Sequence, residues 1–236
     1  MMENMQRYIS CEHLEYNAVF FTDSIRVCCG DMEKRLNPLP GIKITNNINS
    51  ENLNSLFLNF LKYKKQIVRD INLNKPTVCK GCKYLREDNW ETSSTFKLVN
   101  FSTDYPCNLH CSYCYTTDKK YNYKFNYDIF RLISNVLKSK FISKETHFIY
   151  ACGEIGIHPK SQEILRLFEK YHISIFTNAT KYFESLHQLI LKPKNSILVS
   201  IDSGTKETYK SIKGADLFEA VCNNLCRYAR NNGNVI

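Results

Sequence analysis

Phe96-Lys97-Leu98-Val99-Asn100-Phe101-Ser102-Thr103-Asp104-Tyr105-Pro106-Cys107-Asn108-Leu109-His110-Cys111-Ser112-Tyr113-Cys114 decides how the rest of the chain is read. A short apolar run predicts a strand over Phe96–Phe101, and the strand empties into a loop holding Pro106 and three cysteines. Downstream, strands and helices alternate with short connections, the pattern of a parallel α/β sheet or barrel. A helix is expected from Asn126, with Ile129, Leu132, Ile133, Val136 and Leu137 on one face. Strands follow at His147–Ala151, Ile173–Thr177 and Ser196–Ile201, separated by helices at Ser161–Lys170 and Phe183–Leu191.

A last helix is expected from Asp216, where Asp216 and Glu219 have capping-box spacing, with Phe218, Val221, Cys222, Leu225 and Ala229 on its apolar face. Gly233 stops it, and Asn234–Ile236 reads as the start of a fifth strand. Four βα units do not close an eight-stranded barrel. The expectation is therefore a partial (βα) barrel, truncated after four βα units. The chain reads as a fragment.

Working upstream, Asp88–Thr95 is polar and without apolar period, and it reads as a linker between a domain over 1–88 and one over 95–236. In the first, Ala18–Phe21 and Ile25–Cys28 flank Thr22-Asp23-Ser24 as a hairpin. Ser50 starts a helix whose Leu53, Leu56, Phe57, Phe60, Leu61, Ile67, Val68 and Ile71 keep helical phase until Asn74-Lys75-Pro76 ends it.

With 236 residues, 43% of them hydrophobic, the chain can bury one substantial core, or one core and a small satellite, and full disorder is excluded. There is no apolar run of membrane-spanning length, and Met1–Ser10 is polar where a signal peptide is apolar. A soluble, cytoplasmic protein without a membrane partner is expected. The net charge of +9 comes from lysines spread in short groups (Lys62, Lys64, Lys65; Lys119, Lys120; Lys192, Lys194), which reads as a solvated basic surface rather than a nucleic-acid footprint.

Eleven cysteines in a cytosolic chain point to metal ligation before disulfides. Cys107, Cys111 and Cys114 form a C-x3-C-x2-C loop, and three thiolates on one loop can hold three irons of a [4Fe–4S] cluster while leaving the fourth open. Zinc sites favour paired C-x2-C knuckles with a further ligand at a distance, which this triple does not supply. Cys222 and Cys226 share a C-x3-C spacing but sit one turn apart on the last helix, where a structural reading as small hydrophobes suffices. No role is assigned to His110 or His158 from the sequence.

The triple, with Tyr113 just before its last cysteine, resembles the signature of the radical S-adenosylmethionine (SAM) superfamily, and the order of elements from Phe96 to Ile236 fits as well. The resemblance implies a [4Fe–4S] cluster whose open iron is chelated by SAM, and reductive cleavage of SAM to methionine and a 5′-deoxyadenosyl radical that takes hydrogen from a substrate. It places Tyr113 near the adenine. Cys152-Gly153-Glu154 resembles the Gly-Gly-Glu segment that binds the SAM amino group, carried here by Gly153 and Glu154, with Cys152 left without a role. Thr177-Asn178 and Ser200-Ile201-Asp202 resemble SAM-contacting strand ends, which makes Asn178, Ser200 and Asp202 further candidates. Ser200 and Asp202 flank Ile201 and so share a face, where they could bond ribose hydroxyls.

Before the expected linker stand Cys11, Cys28, Cys29, Cys79 and Cys82, a set suited to a closed zinc site or a fully ligated cluster. The arrangement, with Arg69 late in the helix and Pro76 before Cys79-x-x-Cys82, resembles the SPASM-type auxiliary domain of radical SAM enzymes, though it precedes the core here instead of following it. A small Cys-rich α+β domain with an auxiliary [4Fe–4S] cluster is the implied reading. The expected function is SAM-dependent radical chemistry on a small molecule, sugar or peptide, fed by a reducing electron donor. Two rivals stand beside it: a zinc-stabilised basic nucleic-acid-binding protein using Cys11, Cys28, Cys79 and Cys82, and a catalytically inactive radical SAM fragment.

Overall fold

A computed structural model describes residues 6–28, 41–44, 50–91, 93–102, 106–114 and 128–236. Its centre is a mostly parallel sheet of seven strands in the order β4-β3-β2-β6-β7-β8-β9. Here β2 is Asn17–Phe20, β3 Ser24–Arg26, β4 Gly41–Lys43, β6 Leu98–Phe101, β7 His147–Tyr150, β8 His172–Phe176 and β9 Ser196–Leu198. The pairs from β2 through β6, β7, β8 and β9 are parallel, while β3 and β4 add antiparallel hairpin strands at one edge.

Register explains the core. Ala18, Val99, Phe148 and Ile173 lie in one cross-strand row, and Phe20, Phe101, Tyr150, Ile175 and Ile197 in the next row on the same face. All are buried, because period-two alternation sends every second residue to that face. Helices α2 (Ser50–Asn72), α3 (Ile129–Leu137), α4 (Ser161–Leu167) and α5 (Glu184–Ile190) contribute their apolar residues to the same cluster, among them Phe57, Phe60, Leu132, Ile133, Ile164 and Leu186. The Phe57 ring meets Phe20 edge-on at 5.9 Å. The opposite face of the sheet is more polar: the Ser174 hydroxyl bonds His147 Nε2 and the Ser196 hydroxyl, each at 2.9 Å.

The expected hairpin, long helix and four parallel strands of the second half are all present, with ends that differ by a few residues. The described part of the region over 1–88 joins the same sheet. Its strand β2 pairs in parallel with β6, and Cys11, Phe20, Phe57 and Phe60 share one hydrophobic cluster with Phe96, Val99 and Phe148. One core therefore extends across residues 88–95. The polar run itself begins in a strand, β5 (Arg86–Trp90), which pairs antiparallel with β1 (Gln6–Ser10) as a separate two-stranded sheet. Its side chains gave no strand signal because only Trp90 is buried, its indole N–H donating to Tyr8 O at 3.0 Å. Asn72, at the end of α2, pairs with the Ile9 backbone through both its amide groups.

Other local expectations are corrected. Asn126 lies outside the described residues; α3 is capped by Asp128, whose carboxylate accepts the Phe130 N–H. The capping box at Asp216 does not form: α7 (Phe218–Tyr228) begins after Leu217, and both Asp216 and Glu219 turn to Lys206 at 3.6 and 3.7 Å. Along α7 the buried residues are Val221 and Tyr228, while Cys222 is half-buried and Cys226 exposed. An unexpected helix, α6 (Lys206–Lys213), precedes it, capped by Thr205 and stopped at Gly214 in the left-handed region. Val235 makes a parallel bridge to Ile197, as the expected fifth strand would. No described helix is long and apolar enough to cross a membrane.

Candidate functional site

The cysteine loop follows β6, and the segments after β7, β8 and β9 meet it at the same end of the parallel strands. In open parallel sheets this carboxyl end is where ligands bind. Three of those segments are tied to the loop or to one another by hydrogen bonds. After β7, Glu154 N donates to Pro106 O, on the approach to Cys107. After β8, Asn178 Nδ2 points at Cys107 Sγ at 3.5 Å and at Asn108 Oδ1 at 2.8 Å. Asn108 in turn donates to the Thr180 hydroxyl at 2.9 Å. After β9, Asp202 accepts the Tyr113 hydroxyl.

Glu154 is the hub beneath this arrangement. It is only 2% exposed, and its carboxylate accepts the Gly156 N–H at 2.7 Å, the Thr177 hydroxyl at 2.8 Å and the Asn178 N–H at 2.6 Å. Burial pushes its pKa above the ordinary carboxylate range while those donors pull it down. One acceptor position on Oε2 is left over from this count. Glu154 thus fixes the backbone of Asn178, and Asn178 reaches the thiol loop. Gly153, just before it, has φ of 50°, a left-handed conformation that glycine adopts without a Cβ clash. Cys152 is fully buried and its thiol donates to Phe101 O at 3.2 Å, which accounts for a small polarisable residue there.

Tyr113 and Asp202 are joined by a residue the sequence reading did not single out. Lys213, at the last turn of α6, donates to the Tyr113 hydroxyl at 2.6 Å and to the Asp202 carboxylate. Burial works against its charge, yet the bonds to Asp202 and Tyr113 outweigh it and raise its pKa. The same lysine bond, then the Tyr113 bond, holds Asp202 below the usual carboxylate range. Asp202 has φ of 54°, as does Ala179 in the segment after β8. Ser200 is exposed two residues before Asp202 and lies outside this network. The helix that carries Lys213 announces itself only by Thr205 at its start and Lys213-Gly214 at its end, weak start and stop signals that nonetheless were there to be read.

Cys107, Cys111 and Cys114 are all half-buried, and burial followed by the nearby Glu154 charge raises the Cys107 pKa. As the side chains stand, no group of three or more His, Cys, Asp or Glu among the described residues is gathered into a metal-ready set. The fit to an iron–sulfur group rests on donor chemistry: thiols on one short loop, with the Asn178 amide available to bond a thiolate sulfur.

Residues 105–236 match the radical SAM superfamily. The chain belongs to that superfamily. The match covers more than half of the chain and takes in the cysteine loop and everything after it. Among solved structures, this radical SAM chain is similar to the crystal structure of Streptococcus suis SuiB bound to S-adenosylmethionine, at 12% identity with a TM-score of 0.46, over 98% of this chain and 56% of that one. A second similarity is to Streptococcus suis SuiB bound to precursor peptide SuiA, at 12% identity with a TM-score of 0.41, over 95% of this chain and 55% of that one. The chain thus spans just over half the length of these structural neighbours. No curated protein matches it.

The second cysteine set is carried by segments around the sheet's hairpin edge. Cys11 is buried at the start of α1 (Glu12–Tyr16), Cys28 follows β3, and Cys79 and Cys82 share a turn after α2. The Cys79 pKa is pushed up to about 12 by burial and then by the charges of Cys11, Cys28 and Cys82, so these three thiols lie within electrostatic reach of Cys79. Cys29 lies outside the described residues.

Proposed function

We propose that this chain binds a [4Fe–4S] cluster through Cys107, Cys111 and Cys114 and cleaves SAM reductively. Superfamily membership implies the cluster and SAM; when bound, they supply a 5′-deoxyadenosyl radical that abstracts hydrogen from a substrate. The observation that carries this reading is the docking of the cysteine loop onto the segments after three neighbouring strands, through Glu154 N to Pro106, Asn178 to Cys107 and Tyr113 to Asp202. The chain's own residues would divide the work. Gly153 and the remaining lone pair of Glu154 receive the SAM amino group. Asn178 orients the first cysteine, and Tyr113, Ser200 and Asp202 receive the adenosine half.

Cys11, Cys79, Cys82 and either Cys28 or Cys29 would hold a second, fully ligated [4Fe–4S] cluster, a SPASM-like arrangement built into the hairpin edge. The influence of Cys11, Cys28 and Cys82 on Cys79 supports it. The substrate, whether small molecule, sugar or peptide, and the reducing electron donor are expected partners of the active protein. Anaerobic reconstitution, reduction and quantification of 5′-deoxyadenosine test the central reading. Wild-type protein is expected to release it from SAM and Cys111→Ala is not; equal release by both would refute the assignment.

A further inference from the structure

We propose that Lys213 is a positioning residue for SAM, a latch that clamps the cysteine loop to the end of α6 and holds Tyr113 and Asp202 in place for the adenosine half. This rests on the reading of the Cys107 loop as the SAM-cleaving centre, and it assigns a role to a residue that the motifs of the resemblance do not include.

Two sets of bonds meet at the end of α6. The last carbonyls of a helix have no partner within the helix. Here Ile212 O accepts the Ser112 N–H at 2.8 Å and Lys213 O accepts the His110 N–H at 3.0 Å, so the loop between Cys107 and Cys114 completes the helix terminus. Gly214 allows this approach: with φ of 71°, a Cβ on it would stand 3.0 Å from His110 O and 3.1 Å from His110 Cβ. The Lys213 side chain, 3% exposed, then reaches back to bond both Tyr113 and Asp202.

The partners of this buried ammonium remain open to a ligand. Tyr113 is 60% exposed and the Asp202 side chain 37%. Lys213 occupies one oxygen of Asp202, the same Oδ2 that Tyr113 bonds, so Oδ1 is left to accept from a ribose hydroxyl. Without the lysine, a carboxylate and a phenol that share one bond would lose their common cation, and the loop would keep only its backbone bonds to the end of α6. An unpaired remnant of a charged hydrogen-bonded group costs more than a lost neutral bond.

The test titrates the anaerobically reconstituted full chain with SAM and follows the electron paramagnetic resonance of the reduced cluster. Lys213→Met is expected to keep its iron but to need about tenfold more SAM for half-saturation, and Lys213→Arg to recover part of the loss. Tyr113→Phe is expected to weaken SAM on its own yet add little in the Lys213→Met background, since the two groups act together. In the metal-free chain, amide hydrogen exchange at His110 and Ser112 is expected to speed up in Lys213→Met. Half-saturation and exchange within about twofold of wild type in Lys213→Met would overturn the latch, a change far below that of a lost charged hydrogen bond. Should Lys213→Met fail to fold, Tyr113→Phe decides: unchanged half-saturation and exchange overturn the latch, and an increase in both supports it. If wild-type protein holds iron but shows no SAM-dependent signal, the parent reading fails and the SAM role with it, while the exchange arm still decides whether Lys213 holds the loop.

Discussion

The two cysteine sets are anchored differently. Around Cys107, Cys111 and Cys114 the thiols are half-buried and the order comes from polar side chains, with Glu154, Asn178, Asp202 and Lys213 each making two or more hydrogen bonds across different segments. Around Cys11 and Cys79 the anchor is apolar: Cys11 belongs to the hydrophobic core while Cys28, Cys79 and Cys82 are half-buried, and Lys64 is 2% exposed, with its ammonium on Asn17 O at 3.0 Å. The two sets thus differ in what holds them in place, a network of polar side chains in one and a single thiol sunk in the apolar core in the other.

The strongest way to break this comparison is to remove one thiol from each set. Cys114→Ala is expected to lose about half the iron and the whole SAM-sensitive signal, by arithmetic on two four-iron clusters. Cys82→Ala should lose a similar share of iron and keep that signal. Iron analysis with electron paramagnetic resonance reads both; full iron in Cys82→Ala would refute the auxiliary cluster.

Next in size is the hub of the polar frame. Glu154→Gln replaces an acceptor by an amide whose N–H₂ must face the Gly156, Thr177 or Asn178 donors. A loss of about 2–4 kcal/mol in urea unfolding of the metal-free chain is expected, typical of a broken buried charged network.

The apolar anchor has its own signature in pH. Burial lowers the Lys64 pKa to about 7 in the folded chain, against an ordinary value near 10.5. Above pH 7 the folded form has released this proton while the unfolded form still binds it, so stability should rise with pH between about 7 and 9, by at most about 1.4 kcal/mol per pH unit. Lys64→Met should flatten that rise in urea midpoints measured across the range. An unchanged slope would show that Lys64 keeps its proton in the folded chain.

The smallest effect separates two helix starts. Thr205 accepts the Thr208 N–H at 3.3 Å and caps α6, so Thr205→Ala is expected to cost about 0.5–2 kcal/mol. Asp216→Ala, at the capping box that does not form, should stay within about 0.5 kcal/mol. Thermal melts of both variants check the order.

The sequence by itself determined the parallel βα half of the sheet, the long helix α2, the hairpin and the cysteine loop, because these are local patterns: period-two apolar rows, helical phase over many residues, and a fixed cysteine spacing. The same locality placed Gly153, Glu154, Asn178 and Asp202 after neighbouring strands. Only the tertiary structure decided that β2 pairs with β6, since strand neighbours far apart in the chain are chosen by shared burial of Phe20 and Phe101 rather than by any short motif. It also decided that Asp216 and Glu219 serve Lys206 instead of a cap, and that β5 is a strand although nearly all its side chains are exposed. Lys213 was illegible for the same reason. A lysine before a glycine reads as an exposed helix end, and it becomes a buried bridge only when the fold brings Tyr113 and Asp202, 100 and 11 residues away, to the same ammonium.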